Sequence, residues 1–280
     1  MSSADQTSTR GKRRAAKKAV PGFFDDYPRF LETSRTASSL ARLNLRHLAQ
    51  IDANKDILKG ARVLDIASHD GRWSLAALKA GASHVTGIEG RPELVQYSNE
   101  SMQLYGIPED SYRFVAEDIF TALEHEDLDV DVVMCFGFLY HTLRYPEFFS
   151  KVRKLDADYL LIDTKVAPGQ GRTIRVTADE TAREAHAVAD AYTEGTRTLV
   201  GAPTQKALQV MLRVYGYGVE SVHDWGRMIK QVGGSPGDIA AYTKGERVTW
   251  RCRFDESVLP PSLAPTPERE APPVSPVEPG

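Results

Sequence analysis

Short apolar runs alternate with amphipathic stretches along the middle of the chain, and that alternation limits the possible folds more than any other feature. "ARVLDIA", "HVTGIEG", "YRFVAEDI", "VDVVMCFGFLYH" and "YLLIDTKV" read as five strands. Between them, "WSLAALKAGA", "PELVQYSNESMQLYGI" and "PEFFSKVRKL" read as helices. The first is closed by Gly81; the second has Pro92 in its first turn and Gly106 at its end. Strands with apolar interiors are covered on both faces, and helices placed between strands make the sheet parallel. The expected fold is α/β and doubly wound. It has a mostly parallel seven-stranded sheet with an antiparallel closing strand, plus a small cap insertion.

Around this centre the pattern changes. Upstream, "SSLARLNLRHLAQI" puts Leu40, Leu43, Leu48 and Ile51 on one helical face. Downstream, the polar stretch Gly169–Ala202 has "TIRVT" and "TRTLV" flanking an expected helix, "ADETAREAHAVADAY". It reads as an insertion over the strand ends, a substrate cap. "TQKALQVMLRVYGYG" is a further helix, and "VESVHDW" and "RVTWRCRF" are closing strands with a "GGSPGD" loop between them. Residues 1–22, with a basic cluster from Arg10 to Lys18, have no apolar period and are expected to be a disordered tail. Residues 255–280 are proline-rich and are expected to be an extended, disordered tail. The folded domain then runs over 23–254. A chain of 280 residues, 41% hydrophobic, has material for a substantial core.

Some functions are excluded or disfavoured early. A net charge of -3 does not argue for nucleic acid as a bulk partner. No apolar run approaches the ~20 residues that span a bilayer. The basic N-terminus lacks the apolar stretch of a signal peptide. Cys135 and Cys252 form no CxxC, so neither a disulfide framework nor a zinc site is expected, and a reducing cytoplasm is the expected location.

The chemistry concentrates at strand ends, where ligands bind in open parallel sheets. "VLDIASHDG" takes the first strand through Asp65 into a turn ending at Gly71, ahead of a helix whose free N–H groups face outward. The second strand ends at Glu89, placed to accept both hydroxyls of a ribose. The third ends in "AEDI", which sets Asp118 for an adenine amino group and the Ile119 backbone for the ring. One acidic strand end means little; three on successive strands describe a nucleoside pocket.

"VLDIASHDG", "VTGIEG" and "VAEDIF", followed by "FGFLYH", resemble the class I (Rossmann-like) S-adenosylmethionine-dependent methyltransferases over Ala61 to about Phe254. The resemblance implies that Asp65 holds the methionine amino group, directly or through water, and that Gly71 lets the backbone approach the amino-acid part. Glu89 would bind the ribose, and Asp118 with Ile119 the adenine. The family loop usually has glycine where this chain has Ala67 and His69. Histidine tolerates positive φ better than most residues, and with Asp70 it can help hold the methionine end or the acceptor. No GxGxxG is present, which weakens the reading as an NAD-dependent oxidoreductase.

Methyl transfer needs alignment and desolvation, and a hydroxyl acceptor also gains from a base. His141, after the fourth strand, is the first candidate for that base; the other reading is a histidine bonded to a loop carbonyl. His69 is the second candidate. Tyr140, Asp163 and Lys165 are candidates for orienting substrate, with a structural ion pair as the other reading of Asp163 and Lys165. Trp73 and Trp225 read as core. The fourth strand ends in "CFGF", without an acid, so no metal is expected. The expected activity is O-methylation of a small-molecule hydroxyl on a sugar, lipid or secondary metabolite. An RNA-modifying methyl or carboxymethyl transferase is the alternative. It would use the basic N-terminal cluster with Arg172 and Arg175; "LVGAPTQKALQVMLRVYGY" and "FGFLYH" are weakly similar to a subgroup that includes the wobble-uridine carboxymethyl-transferring tRNA enzymes and several small-molecule O-methyltransferases. The region Tyr27–Arg35 and the Gly169–Ala202 insertion are expected to select the acceptor.

Overall fold

In the computed structural model, which describes residues 20–33, 39–183 and 187–259, the alternation resolves into nine strands and nine α-helices among those residues. After two short 3-10 turns come α1 (Leu40–Gln50) and α2 (Lys55–Leu58). The central run is β1 (Arg62–Ile66), α3 (Arg72–Lys79), β2 (His84–Glu89), α4 (Pro92–Leu104), β3 (Tyr112–Ala116), α5 (Ile119–His125), β4 (Val132–Phe136), α6 (Tyr145–Lys154) and β5 (Tyr159–Lys165). The rest is β6 (Ile174–Glu180), β7 (Arg197–Pro203), α7 (Gln205–Val214), β8 (Tyr217–Val222), α8 (Trp225–Val232), α9 (Ala240–Thr243) and β9 (Arg247–Phe254).

Seven strands form one sheet in the order β3-β2-β1-β4-β5-β9-β8. The pairs among β1 to β5 are parallel, and β9 runs antiparallel to both β5 and β8. This is the doubly wound sheet with one antiparallel strand that the sequence pattern implies. Strand order reverses at β1, which pairs β2 on one side and β4 on the other, so a crevice opens beyond their carboxyl ends.

Two apolar layers hold the sheet. One packs Phe148, Phe149, Leu208 and Trp250 against β1, β4 and β5; the other packs Phe24, Phe30, Trp73 and Met102 on the opposite face. Each such side chain contributes about 1.5–3 kcal/mol by leaving water. Local signals set the helix starts. Pro92 opens α4, the Asp118 carboxylate accepts from Phe120 and Thr121 N–H at α5, and the Thr204 hydroxyl accepts from Ala207 N–H at α7. Cys135 and Cys252 are buried and unpaired, and burial pushes both thiols up.

Three expectations need correction. Ala178–Glu180 are not the start of a helix: they pair with Arg197–Leu199 in the two-stranded β6–β7 hairpin, and ladder pairing overrides their helix preference. Residues 181–183 and 187–192 are turn or irregular, and 184–186 lie outside the described residues. The expected "GGSPGD" connection is more than a loop, since α8 and α9 flank it. Those two helices explain why α1 is buried beyond its leucine stripe. Leu45 and Ala49 meet Trp225, Met228 and Tyr242 in a third apolar cluster. Most of the two expected tails, 1–19 and 260–280, also lies outside the described residues.

Candidate functional site

The turn from β1 into α3 places three alternate residues in the left-handed region: Ala67 (φ 55°), His69 (φ 55°) and Gly71 (φ 77°). The first two are L-residues there, which costs each about 1–2 kcal/mol. Hydrogen bonds pin the turn against β2. Ser68 N–H donates to the Ile88 carbonyl (3.0 Å), and His69 N–H donates to Glu89 Oε2 (3.1 Å). Gly71 faces inward: a Cβ there would come within 3.1 Å of Phe114 and Ser98. Its glycine therefore serves packing as well as the positive φ.

A cavity of about 380 Å³ opens at this turn. Ala67, His69, Glu89, Asp118 and Ile119 all line it, drawn from the ends of β1, β2 and β3. Glu89 is 3% exposed, and its other oxygen accepts Arg91 N–H at 3.1 Å; burial raises its pKa. Asp118 gives Oδ1 to the start of α5. His69 Nδ1 is buried without a hydrogen-bond partner, 3.6 Å from Asp70 Oδ1.

Asp65 and Asp70 stand behind the turn and do not line the cavity. Asp65 accepts the Ser74 hydroxyl at 2.6 Å. Burial, with Asp70 and Glu89 nearby, pushes its carboxyl up to about 7 against that hydrogen bond. Asp70 is fully buried and held by Arg72, through Nε at 2.7 Å and a second guanidinium nitrogen, and by the Thr33 hydroxyl. Burial alone would raise its pKa, but Arg72 and His69 hold it well below the usual carboxylate range. The sequence pattern placed both acids at the rim without showing which neighbours would claim them.

On the other side of the crevice, Tyr140 and His141 sit in a 3-10 turn after β4, and both line the cavity. His141 Nδ1 lies 3.4 Å from Asp179 Oδ2 on β6. Burial lowers the His141 pKa to about 4, against the pull of Asp179. Asp179 was not foreseen, because it came from a segment read as helix. The hairpin and the chain that joins its strands also supply Ala187, Val188, Asp190 and Thr198 to the cavity wall.

Asp163, at the end of β5, is fully buried rather than facing substrate. It binds Arg247 Nε (2.5 Å), the Thr249 hydroxyl (2.6 Å) and the Tyr242 hydroxyl (3.0 Å), with Arg46 at 3.6 Å. Burial would raise its pKa, but Arg247 and Arg46 bring it below the ordinary value. Its ion partners are therefore arginines, not Lys165. Lys165 is exposed and lines the cavity, with Nζ 4.4 Å from the Tyr140 ring centre. Burial would raise the Tyr140 pKa too, yet Arg247, Lys165 and Arg46 pull it below normal. Trp73 is 5% exposed in the core beneath Arg46, and Trp225 stacks on Tyr242.

The N-terminal cover contributes differently from expectation. Arg29 binds Glu100 and Ser101 on α4, and Thr33 binds Asp70, so described residues of this stretch brace the turn from outside. Arg42 and Arg46 of α1 line the cavity instead. Arg35 lies outside the described residues.

Comparison with known proteins finds methyltransferases. Residues 63–155 match the family described as methyltransferase domain. A candidate ribosomal RNA large subunit methyltransferase of Methanocaldococcus jannaschii is 33% identical over 75 residues, 27% of this chain and 19% of that protein. The ribosomal protein L11 methyltransferase of Photorhabdus laumondii is 34% identical over 77 residues, 28% of this chain and 24% of that protein. The chain thus spans a quarter or less of these curated relatives. A candidate S-adenosylmethionine dependent methyltransferase from Listeria monocytogenes shares the fold, with TM-score 0.53, 12% identity, 76% of this chain and 99% of that one covered.

Proposed function

We propose that the chain, as a class I (Rossmann-like) S-adenosylmethionine-dependent methyltransferase with S-adenosylmethionine as cofactor, methylates a hydroxyl of a small-molecule acceptor. The observation that carries the hydroxyl is the His141–Asp179 pair in the cavity wall. The cofactor, when bound, supplies an activated methyl group. The chain's residues bind, align and manage a proton.

Glu89 would hold the ribose hydroxyls, and Asp118 with the Ile119 backbone would hold the adenine. The turn Ala67–His69 flanks the methionine end, with Asp65 behind it oriented by Ser74. His141 stays unprotonated at neutral pH, the form that takes a proton. With Nδ1 towards Asp179, Nε2 is left to receive the acceptor's proton, and Asp179 steadies the imidazolium that forms. The β6–β7 insertion supplies Ala187, Val188, Asp190 and Thr198 to the cavity wall, where a bound acceptor would displace water from the reacting atoms.

Two experiments bear on this. Transfer of a labelled methyl group to small molecules of a cell extract identifies the acceptor. His141→Ala is then expected to lower kcat by ~10²–10⁴-fold while S-adenosylhomocysteine affinity stays within about twofold. Unchanged kcat would remove His141 as the base. An RNA acceptor is the second reading, favoured by Arg172 and Arg175 exposed along the insertion and by the relative named for ribosomal RNA. It predicts RNA binding that weakens steeply with salt.

A further inference from the structure

Cations along one wall of the cavity outnumber the carboxylates that neutralise them. Arg42 and Arg46 come from α1, Lys165 from the end of β5 and Arg247 from the start of β9, and all four line the cavity. Among the described residues, the ion pairs of these four reach Asp163 alone, from Arg247 at 2.5 Å and Arg46 at 3.6 Å. Arg42 donates to the Asp238 carbonyl, an uncharged partner (2.8 Å). Lys165 has no carboxylate partner there and lies over the Tyr140 ring.

Two further observations describe how these cations are held. Arg46 is only 9% exposed, yet its Nε has no hydrogen-bond partner, and the same holds for the buried Nε of Arg42. Buried guanidinium groups normally satisfy their donors, and because these two atoms are closed off from solvent, both side chains keep an incompletely compensated charge beside the cavity. Asp163 meanwhile fixes Arg247 from behind, its carboxylate accepting from Nε at 2.5 Å and its carbonyl from Nη2 at 3.4 Å, and the Tyr140 hydroxyl is hydrogen-bonded to the same guanidinium. The methionine carboxylate of the cofactor, when bound, would offset part of this charge. Arg46, over Trp73 at the start of α3, is on the cofactor side. Lys165, Arg247 and Tyr140 remain on the side of His141.

We propose that the acceptor carries an oxyanion, a carboxylate or phosphate, held by Lys165, Arg247 and the Tyr140 hydroxyl beside His141. This rests on the methyltransferase reading. Anchoring by a charged group fixes the acceptor's orientation, so that its hydroxyl meets both His141 and the methyl group.

The test is calorimetry on the full chain at constant ionic strength. S-adenosylhomocysteine is titrated first; absence of binding at that stage defeats the methyltransferase reading itself. Acetate, inorganic phosphate and acetamide are then titrated into the saturated protein. Acetate or phosphate is expected to bind at least tenfold more tightly than acetamide, and the stronger of the two names the anion. Lys165→Gln is expected to weaken that binding about tenfold without altering S-adenosylhomocysteine affinity, and Lys165→Arg to restore most of it. Cofactor binding with no preference for the anions over acetamide overturns the proposal, as does anion binding indifferent to Lys165→Gln.

Discussion

Replacing Ala67 by glycine should stabilise the protein. Ala67 holds φ 55°, and its methyl group contributes only one small part of the cavity wall. A left-handed L-residue costs about 1–2 kcal/mol, of which glycine recovers most. The freer unfolded chain returns about 0.4–1 kcal/mol of that gain. The net is about 1 kcal/mol, or a Tm increase of about 2–4 °C for a chain of this size. Scanning calorimetry with and without S-adenosylhomocysteine measures it, and cofactor affinity should be unchanged. His69→Gly receives the same backbone relief but loses the imidazole beside Asp70. The difference between the two variants isolates that side chain: weakened cofactor binding only in His69→Gly gives the imidazole a binding role. Wild-type binding and turnover in both reduce His69 to a turn former. A lower Tm in Ala67→Gly would refute the reasoning, because the turn would then not be strained at that position.

The other predictions concern charge. Asp163→Asn leaves Arg46 and Arg247 without their buried counter-charge, and should cost about 3–5 kcal/mol in denaturant unfolding; a loss below about 1 kcal/mol would show that the cations find other partners. His141, with its pKa at about 4, is protonated only below that value. Activity should therefore hold as pH falls from 8 through 6 and drop near pH 4, whereas an unshifted histidine would lose half its base form near pH 6.5. Asp179→Asn removes the interaction that raises the His141 pKa. The acid limb should move to still lower pH while kcat falls; a limb unchanged in both respects would place Asp179 outside the mechanism.

The sheet was legible because its strands are apolar on both faces, and only a helix-covered parallel sheet satisfies that. The closing strands were legible from local pattern instead, since β8 is largely exposed beyond Tyr217 and only β9 is buried along most of its length. The β6–β7 hairpin was not: Ala178–Glu180 favour helix locally, and only pairing with Arg197–Leu199 makes them strand. Glu89, Asp118 and Ile119 were found because strand termini and chain order alone put them at the rim. Asp65, Asp70 and Asp163 were read by the same rule. Whether such an acid faces a ligand or a buried neighbour depends on Ser74, Arg72 and Arg247, and on side-chain directions that strand spacing does not encode. Arg42 and Arg46 escaped notice because a helix covered on one face would leave them in solvent. They are at the cavity because α1 is covered on more than one face, by the sheet-side cluster at Leu43 and by α8 and α9 at Leu45 and Ala49.

The central claim is that the crevice at β1, β2 and β3 binds S-adenosylmethionine through Glu89. Calorimetric titration of S-adenosylmethionine, S-adenosylhomocysteine and NAD into the wild type and Glu89→Gln tests it most directly. The first two should bind the wild type and NAD should not. Glu89→Gln should lose at least about tenfold in affinity, since a hydrogen bond to a charged group is worth about 1.5–3 kcal/mol. Binding of NAD alone, or an affinity unchanged in Glu89→Gln, would contradict the account.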